Sequence, residues 1–395
     1  MAYEDPSTGN TLTNLIPTLY CALDTVSREL VGFIPAVTRD ACPARAAIGQ
    51  TVYSFVTPAA TASDVVAAPL PPDDGEQVMG TISMTIQKSR RVPVRWQGEE
   101  SMQMNSAGGV GVSAIMVDQF AQAMRTLVNE IESDLAGLYV HASRAIVPAA
   151  STLFSGGFAD AANVRKILAD NGAPLSDLQM VIGTAEGAAL RTLANLTRVS
   201  EAGTTSILRQ GILLDILGFA IRESAQIKTP ATVGSASSVT TATADKAVGD
   251  TSILLASAGT GDIKAGDLIT IANTGDTTTQ YVSTTTITGN AGTLLIAAPG
   301  LRKIITADTL ALAVRAAGSR SMAFARSAIV LASRAPALPE GGDMATGSRI
   351  ITDPLSGLSF EVREYRGYRQ IQYEVSIAWG VKAVKEEHIA ILAGA

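Results

Sequence analysis

From Val112 to Ala142 apolar residues recur at intervals of three and four: Val112, Met116, Phe120, Met124, Leu127, Ile131, Leu135, Leu138 and Ala142. That spacing lays one continuous stripe along an α-helix. Ser113 supplies a cap at the start and Pro148 a stop at the end. A helix from Ser113 to Ile146 would be about 50 Å long at about 1.5 Å per residue. Globular helices usually have roughly three or four turns. Asp134 and Gly137 interrupt the stripe, and the repeat is too short for a coiled coil. The pattern predicts a spine crossing an elongated, flat molecule.

The chain before this helix reads as β structure. Val52–Tyr53–Ser54–Phe55–Val56 is a short strand that Pro58 ends. A tip rich in Ala, Pro and Asp follows, including Pro69, Pro71, Pro72, Asp73, Asp74 and Gly75. A second run then alternates, with Ile82, Met84 and Ile86 on one face and Thr81, Ser83, Thr85 and Gln87 on the other. The alternation continues through Val92, Val94 and Trp96, interleaved with Arg91, Pro93 and Arg95. Pro93 has no N–H to give a ladder, which places this part on an edge. Together the runs predict a long two-stranded ribbon. A lone ribbon is unstable in water and must lie on something, its own domain or a neighbour. Residues 1–48 are punctuated by Pro6, Pro17, Pro35 and Pro43, with a helix predicted from Thr13 to Leu30. Such a segment is either an arm that wraps a neighbour or an ordinary N-terminus. Gly108, Gly109 and Gly111 form a hinge ahead of the long helix.

Beyond the helix, residues 151–228 read as compact α/β. Asp160 to Ala169 is helical, Asn171–Gly172 closes it, and Leu178 to Ile182 is a buried strand. Thr184 caps a helix through Leu196 with Glu186 in its first turn, and Phe219–Ala220–Ile221 forms a strand. Composition then shifts at Lys228 to Thr, Ser, Gly and Ala. Short β runs follow at Ser252–Leu255, Leu268–Ile271, Gln280–Thr284, Thr293–Ala297 and Leu310–Val314. Turns such as Gly266–Asp267 and Gly289–Asn290 separate them, as in a small barrel or sandwich inserted in a surface loop. The remainder returns to longer strands at Ala328–Leu331, Phe360–Glu364, Ile371–Ile377, Trp379–Val384 and Ile389–Leu392.

Composition narrows the function. Of 395 residues, 47% are hydrophobic and 17% charged, which excludes a disordered, solvating chain. A net charge of −6 argues against a dedicated nucleic-acid binder, which needs a basic stripe. The start carries Glu4 and Asp5 where a secretory signal carries Lys or Arg, and no apolar core follows. The most apolar stretch, Ile207 to Ile221, is broken by Arg209 and Asp215, so no membrane span is predicted. Cys21 and Cys42 read as structural thiols of a chain folded in a cytoplasm. Gly259–Thr260–Gly261–Asp262 lacks the Lys of a phosphate loop, and neither GxSxG nor HExxH is present. Asp73, Asp74 and Glu76 lack the alternation of a calcium loop. His141 lies on the long helix, and Glu386–Glu387–His388 reads as a surface charge cluster without a paired nucleophile. No enzyme, metal site or cofactor is expected.

The order of parts resembles the major capsid (coat) proteins of tailed phages, which share a fold with herpesvirus capsid proteins. It is similar in particular to short-tailed-phage coat proteins that carry an inserted β-barrel. VMGTISMTIQKSRRVPVRWQGEE runs into the long helix as that family's extended loop does. GILLDILGFAIRES resembles the strand before the insertion, AGDLITIANTG a strand of the inserted barrel, FARSAIVLASRAPALP the strand that re-enters the main lobe, and AWGVKAVKEEHIAIL the C-terminal strand pair. The Pro- and Ala-rich tip Ala59–Gly75 departs from the pattern.

The resemblance implies an α+β capsid fold with these parts: arm 1–48, ribbon loop 49–98, peripheral domain with spine helix 99–150, axial lobe 151–228 and 319–380, inserted β-barrel 229–318, and C-terminal strands 381–395. It implies a non-enzymatic subunit, made in the host cytoplasm, that assembles as hexamers and pentamers into an icosahedral virion shell. Its partners would be other copies of itself, a scaffolding protein, a portal protein and packaged DNA held without specific binding, with no membrane. A mildly acidic wall suits DNA that must later leave. Expected contacts between subunits are Tyr53, Phe55 and Trp96 together with Lys88, Arg90, Arg91 and Arg95. The four cations either pair with carboxylates of the next subunit or form a solvated basic face. Two rivals are an encapsulin-type cellular shell and, further off, a β-rich adhesin or tail protein, which would show a secretion signal or repeats.

Overall fold

The computed structural model of the protein describes residues 31–56, 79–106, 112–148, 152–193, 215–230, 233–256, 258–289, 291–306, 309–315, 317–352 and 357–394, with residues 62, 64–67 and 196 between them. The helix expected at Thr13–Leu30, the glycine hinge at 108–111, the acidic tip 73–76 and Cys21 lie outside the described residues, as does the Cys42 side chain.

A short helix α1 (Phe33–Ala36) leads into β1 (Thr38–Ala46), then β2 (Thr51–Val56), β3 (Gly80–Thr85) and β4 (Lys88–Gln97). Helices α2 (Gly98–Ser106) and α3 (Val112–Ala136) come next, followed by a 3-10 turn Gly137–His141 and β5 (Arg144–Ile146). The lobe contributes α4 (Ala159–Asp170), β6 (Leu178–Ile182), α5 (Thr184–Arg191) and β7 (Phe219–Glu223). Five short strands follow: β8 (Ser252–Ala256), β9 (Leu268–Ile271), β10 (Gln280–Val282), β11 (Ala291–Leu295) and β12 (Leu312–Val314). The chain closes with β13 (Arg320–Ala325), β14 (Ile329–Pro336), β15 (Gly347–Thr352), β16 (Ser359–Gly367), β17 (Gln370–Ala383) and β18 (Ile389–Ala393). The mixture of helix and sheet is the α+β class expected.

Two large sheets organise the molecule. The six-stranded sheet runs β1-β14-β17-β16-β15, with β4 pairing the first part of β17 on the edge opposite β16. Its apolar face, with Val94, Trp96, Phe360, Tyr373, Ile377 and Trp379, packs against Phe120, Met124, Leu127 and Ile131 of α3. The eight-stranded sheet runs β12-β9-β10-β5-β18-β13-β6-β7. One of its faces shares the α3 core, and the other packs on α4 through Val164 and Leu168.

Several sequence expectations need correction. The long helix stops at Ala136, giving 25 residues and about 37 Å. Gly137, with the weakest helix preference bar proline, begins a tighter turn, and Ala142 is already extended. Leu138 and Ala142 stay buried, so the stripe outlasts the helix that the spacing implied. Of the expected arm 1–48, the described residues 31–48 pack on the body. Phe33 and Ile34 are fully buried, and β1 pairs in parallel with β14, with a register shift between Ala41 and Arg45 that accommodates Pro43. The ribbon is shorter than expected, because β4 leaves it to pair with β17 along its whole length. No other described strand pairs with β4, so Pro93 does sit on an edge. Thr184 opens α5 instead of capping it, Gly183 being the N-cap, and α5 ends at Arg191 well short of Leu196.

Residues 239–312 enclose their own apolar cluster, including Val239, Ile253, Ile269, Tyr281, Leu294 and Leu312. They do not close on themselves alone. β9, β10 and β12 continue the eight-stranded sheet, joined to the lobe where Gln280 and Tyr281 face Ala145 and Arg144. Among the described residues, no helix is long and apolar enough to cross a membrane.

Candidate assembly surface

β2 and β3 pair with each other over six residues, from Thr51–Thr85 to Val56–Gly80, and among the described residues with no other strand. The alternation of residues 81–87 is realised: Met84 and Ile86 are buried and Ile82 half-buried, while Thr81, Ser83, Thr85 and Gln87 are exposed. Burial fades toward Gly80, so the ribbon is anchored at its base alone.

The anchor is a small apolar cluster of Met84 and Ile86 on Ala46, Ala332 and Ala378, joined by Val52 and Val330. Gln87 donates its N–H to the carbonyl of Trp379 at 2.9 Å, and Lys382 Nζ donates to the carbonyl of Ser83 at 2.6 Å. Gly380 lies beneath the crossing. A Cβ there would stand 2.2 Å from the carbonyl oxygen of Thr85, so only glycine lets the ribbon backbone sit this close. Sequence reasoning passed over Gly380, although a glycine inside a long strand is the usual mark of such an approach.

Large apolar side chains stand in solvent around this ribbon. Ile48 is 64% exposed, Tyr53 65% and Met79 62%. Beside it, β4 and α3 flank an open groove of about 450 Å³, lined by Val92, Pro93, Val94, Ile115, Gln119 and Ala123 among others.

The cations expected to reach a neighbouring subunit mostly have carboxylates in their own chain. Lys88 Nζ is 2.8 Å from Asp134 Oδ1 and 3.1 Å from Glu130 Oε1, and Arg90 Nε is 3.2 Å from Glu130. Arg91 pairs with Glu374 at 2.8 Å. Partial burial works against the Lys88 ammonium, but hydrogen bonds to Asp134 and Glu130 outweigh it and hold its pKa above the ordinary lysine value. Arg95 is exposed. Trp96 is no surface residue: it is buried in the α3 core and donates Nε1–H to Gln119 Oε1 at 2.8 Å. Of the expected aromatic contacts Tyr53 alone is seen in solvent; the Phe55 side chain lies outside what is described. That Glu130, Asp134 and Glu374 would pair with these cations was missed in the sequence, since each lies far along the chain from its cation.

Among the described residues, the remaining polar groups do not gather into a reactive site. His141 Nδ1 lies 2.9 Å from Glu386 Oε1. His388, expected in a surface charge cluster, is 6% exposed, and burial pushes its pKa below the ordinary histidine value. Arg144 and Arg320 are buried where the inserted strands meet the lobe, and burial lowers both pKa values. Arg144 gives Nη2–H to Asn171 while Nε and Nη1 find no acceptor among the described residues; Arg320 gives Nη1–H to Gly318 while Nε and Nη2 find none. No group of three or more metal-ligating side chains occurs among the described residues.

No family model and no curated protein matches the sequence. Similar solved structures include a chain from the capsid of cyanophage P-SCSP1u, with 9% identity and a TM-score of 0.48 over 93% of this chain and 89% of that one. A chain from Mycobacterium phage Che8 is 13% identical, with a TM-score of 0.45 over 87% and 84%. A virus-like particle from Pyrococcus furiosus is 10% identical, with a TM-score of 0.40 over 95% and 97%. At identities and scores this low, the chain's own geometry has to carry any assignment of function.

Proposed function

We propose that this chain is the major capsid protein of a tailed phage, a structural subunit that builds a closed icosahedral shell of hexamers and pentamers around packaged double-stranded DNA. The observation that carries the reading is the ribbon. β2 and β3 pair only with each other among the described residues and are held at one end, over Gly380, while Ile48, Tyr53 and Met79 around them face water. A two-stranded ribbon is marginal alone, and exposed apolar side chains rimmed by polar ones mark a contact surface. A neighbouring copy supplies the missing support. The groove between β4 and α3, where Val92, Pro93, Ile115 and Ala123 are interspersed with Arg95, Asp118, Gln122 and Thr126, offers a partly apolar bed, and a head-to-tail contact of this kind generates a ring when the rotation closes. The ordered set of sequence motifs that resembles short-tailed-phage coat proteins agrees with this reading.

Scaffolding and portal proteins would then be partners during assembly, and DNA would be enclosed without sequence recognition. Lys88, Arg90 and Arg91 serve chiefly to brace the subunit, which leaves Tyr53, Phe55 and Arg95 as the inter-subunit contacts among the residues first considered. The test is electron microscopy of the purified chain, alone and co-expressed with its scaffolding protein. Closed shells are expected. A monomer under both conditions overturns the shell, and shells enclosing an enzyme in place of DNA overturn the phage assignment.

A further inference from the structure

Glu132 lies on the inward face of α3 and is 1% exposed. Its Oε1 accepts the Ile34 N–H at 2.9 Å; its Oε2 accepts both the Phe33 N–H and the Ser224 hydroxyl, each at 3.1 Å. No cation pairs with it among the described residues, so the buried carboxylate is held by N–H and O–H donors alone. Those donors come from two distant stretches, the start of α1 and the residue just after β7. One position further along α3, Ser133 Oγ accepts a hydrogen bond from Lys228 Nζ. The Lys228 carbonyl in turn accepts the Arg320 N–H at 2.9 Å. Gly32 completes the packing: a Cβ there would stand 2.7 Å from the Glu223 carbonyl oxygen and 2.8 Å from Val181 Cγ1. One turn of α3 thus grips both residues 32–36 and the peptide that leads from β7 toward the inserted strands.

We infer that Glu132 and Ser133 form a polar latch that couples the seating of residues 32–36 to the seating of residues 224–228. The coupling follows from the shared oxygen. Withdrawing Phe33 and Ile34 leaves a buried carboxylate with a single donor, a costly state that is relieved only if the carboxylate gains a proton or turns to water. Turning to water breaks the bond from Ser224, and a proton weakens it, because a neutral carboxyl is a poorer acceptor than a carboxylate. Loosening Ser224 or Lys228 shifts the carboxylate and its helical turn in the same way, and a coupling free energy acts equally in both directions. The N-terminal segment and the root of the inserted strands therefore respond to each other across α3. The inference stands whether or not the chain builds a shell.

Hydrogen exchange followed by mass spectrometry on the full chain tests this. Ser224→Ala and Lys228→Met alter only the far side of the latch, so both are expected to speed exchange in residues 32–37 by roughly five-fold, the effect of losing one hydrogen bond. Glu132→Gln, which sets an NH2 group against a backbone N–H, is expected to speed exchange in both segments together. Residues 370–383 serve as the internal reference and keep the parent rate. Unchanged exchange in residues 32–37 for both Ser224→Ala and Lys228→Met overturns the coupling. Acceleration spread equally over residues 370–383 overturns it as well, since that is global destabilisation. If Glu132→Gln does not fold, the other two variants decide the matter by themselves.

Discussion

Asp134 serves two masters with one carboxylate. Oδ1 takes Lys88 at 2.8 Å, and Oδ2 takes the indole N–H of Trp379, a fully buried ring, at 2.9 Å. Asp134→Ala strands that indole donor in the core while Lys88 keeps Glu130. We expect a loss of about 1–3 kcal/mol in urea unfolding, and an unchanged midpoint would mean that water reaches the indole. Arg144 predicts the opposite behaviour. Among the described residues only Asn171 accepts a hydrogen bond from it, so Arg144→Met removes an expensive burial and should cost less than about 1 kcal/mol; a loss of several would show that its other N–H groups are satisfied after all. His388 gives stability a pH dependence. Burial holds its pKa below the value of 6.5 that it regains on unfolding, so the unfolded chain takes up a proton that the folded one resists. Its contribution is nil above neutrality, and stability declines as pH falls through about 6.5. Urea midpoints measured from about pH 8 to pH 5 should show this slope, and His388→Gln should flatten it.

At the scale of elements, glycines divide into those that matter and those that do not. Gly380→Ala drives a methyl into the Thr85 carbonyl beneath the ribbon, and we expect about 1–3 kcal/mol of strain together with faster proteolysis of residues 49–87. Gly137 has nothing within 4 Å of where its Cβ would lie and no positive φ. Gly137→Ala should therefore be neutral or stabilise by about 0.5–1 kcal/mol in the same unfolding assay. Such a result would place the cause of the helix end in the packing of Leu138 and Ala142 rather than in the glycine. The same elements show what could be read beforehand. The α3 stripe and the two faces of residues 81–87 were legible because periodicity is local. The handover from ribbon to sheet was not: after the polar run Lys88–Arg91 the alternation resumes at Val92 in the same phase, and nothing local shows that the partner has changed from β2 to β17. β1 was hidden for the same reason, its Asp40, Pro43 and Arg45 resembling a loop until β14 supplies a ladder. β13 was missed because Ser321, Ala323 and Ala325 carry little β signal, although all six of its residues are buried. Of the candidate surface, the cations were plain in the sequence, while their carboxylates, at separations of up to 283 residues, could not be paired from spacing.

For the whole molecule, the shell proposal separates folding from association. Ile48→Asp, Tyr53→Asp and Met79→Asp each put a charge where the subunit is already wet, so each should change subunit stability by no more than about 0.5 kcal/mol. Particles should nonetheless be lost on micrographs, while circular dichroism and melting of the subunit stay as they were. Shells that persist in all three variants would remove the ribbon from the contact. The six-stranded sheet adds a constraint of another kind, one of time. β1 and β4 are translated early, yet their partners β14 and β17 lie near the end of the chain; Arg91 and Glu374 alone are separated by 283 residues. At about 5–20 residues per second, the ribosome needs roughly 15–60 s to bring the second partner out. Throughout that interval the early strands have open edges, which are templates for aggregation. A nascent chain of this design has reason to be met by a holding chaperone, and a message truncated before residue 370 yields a product with an unpaired β4.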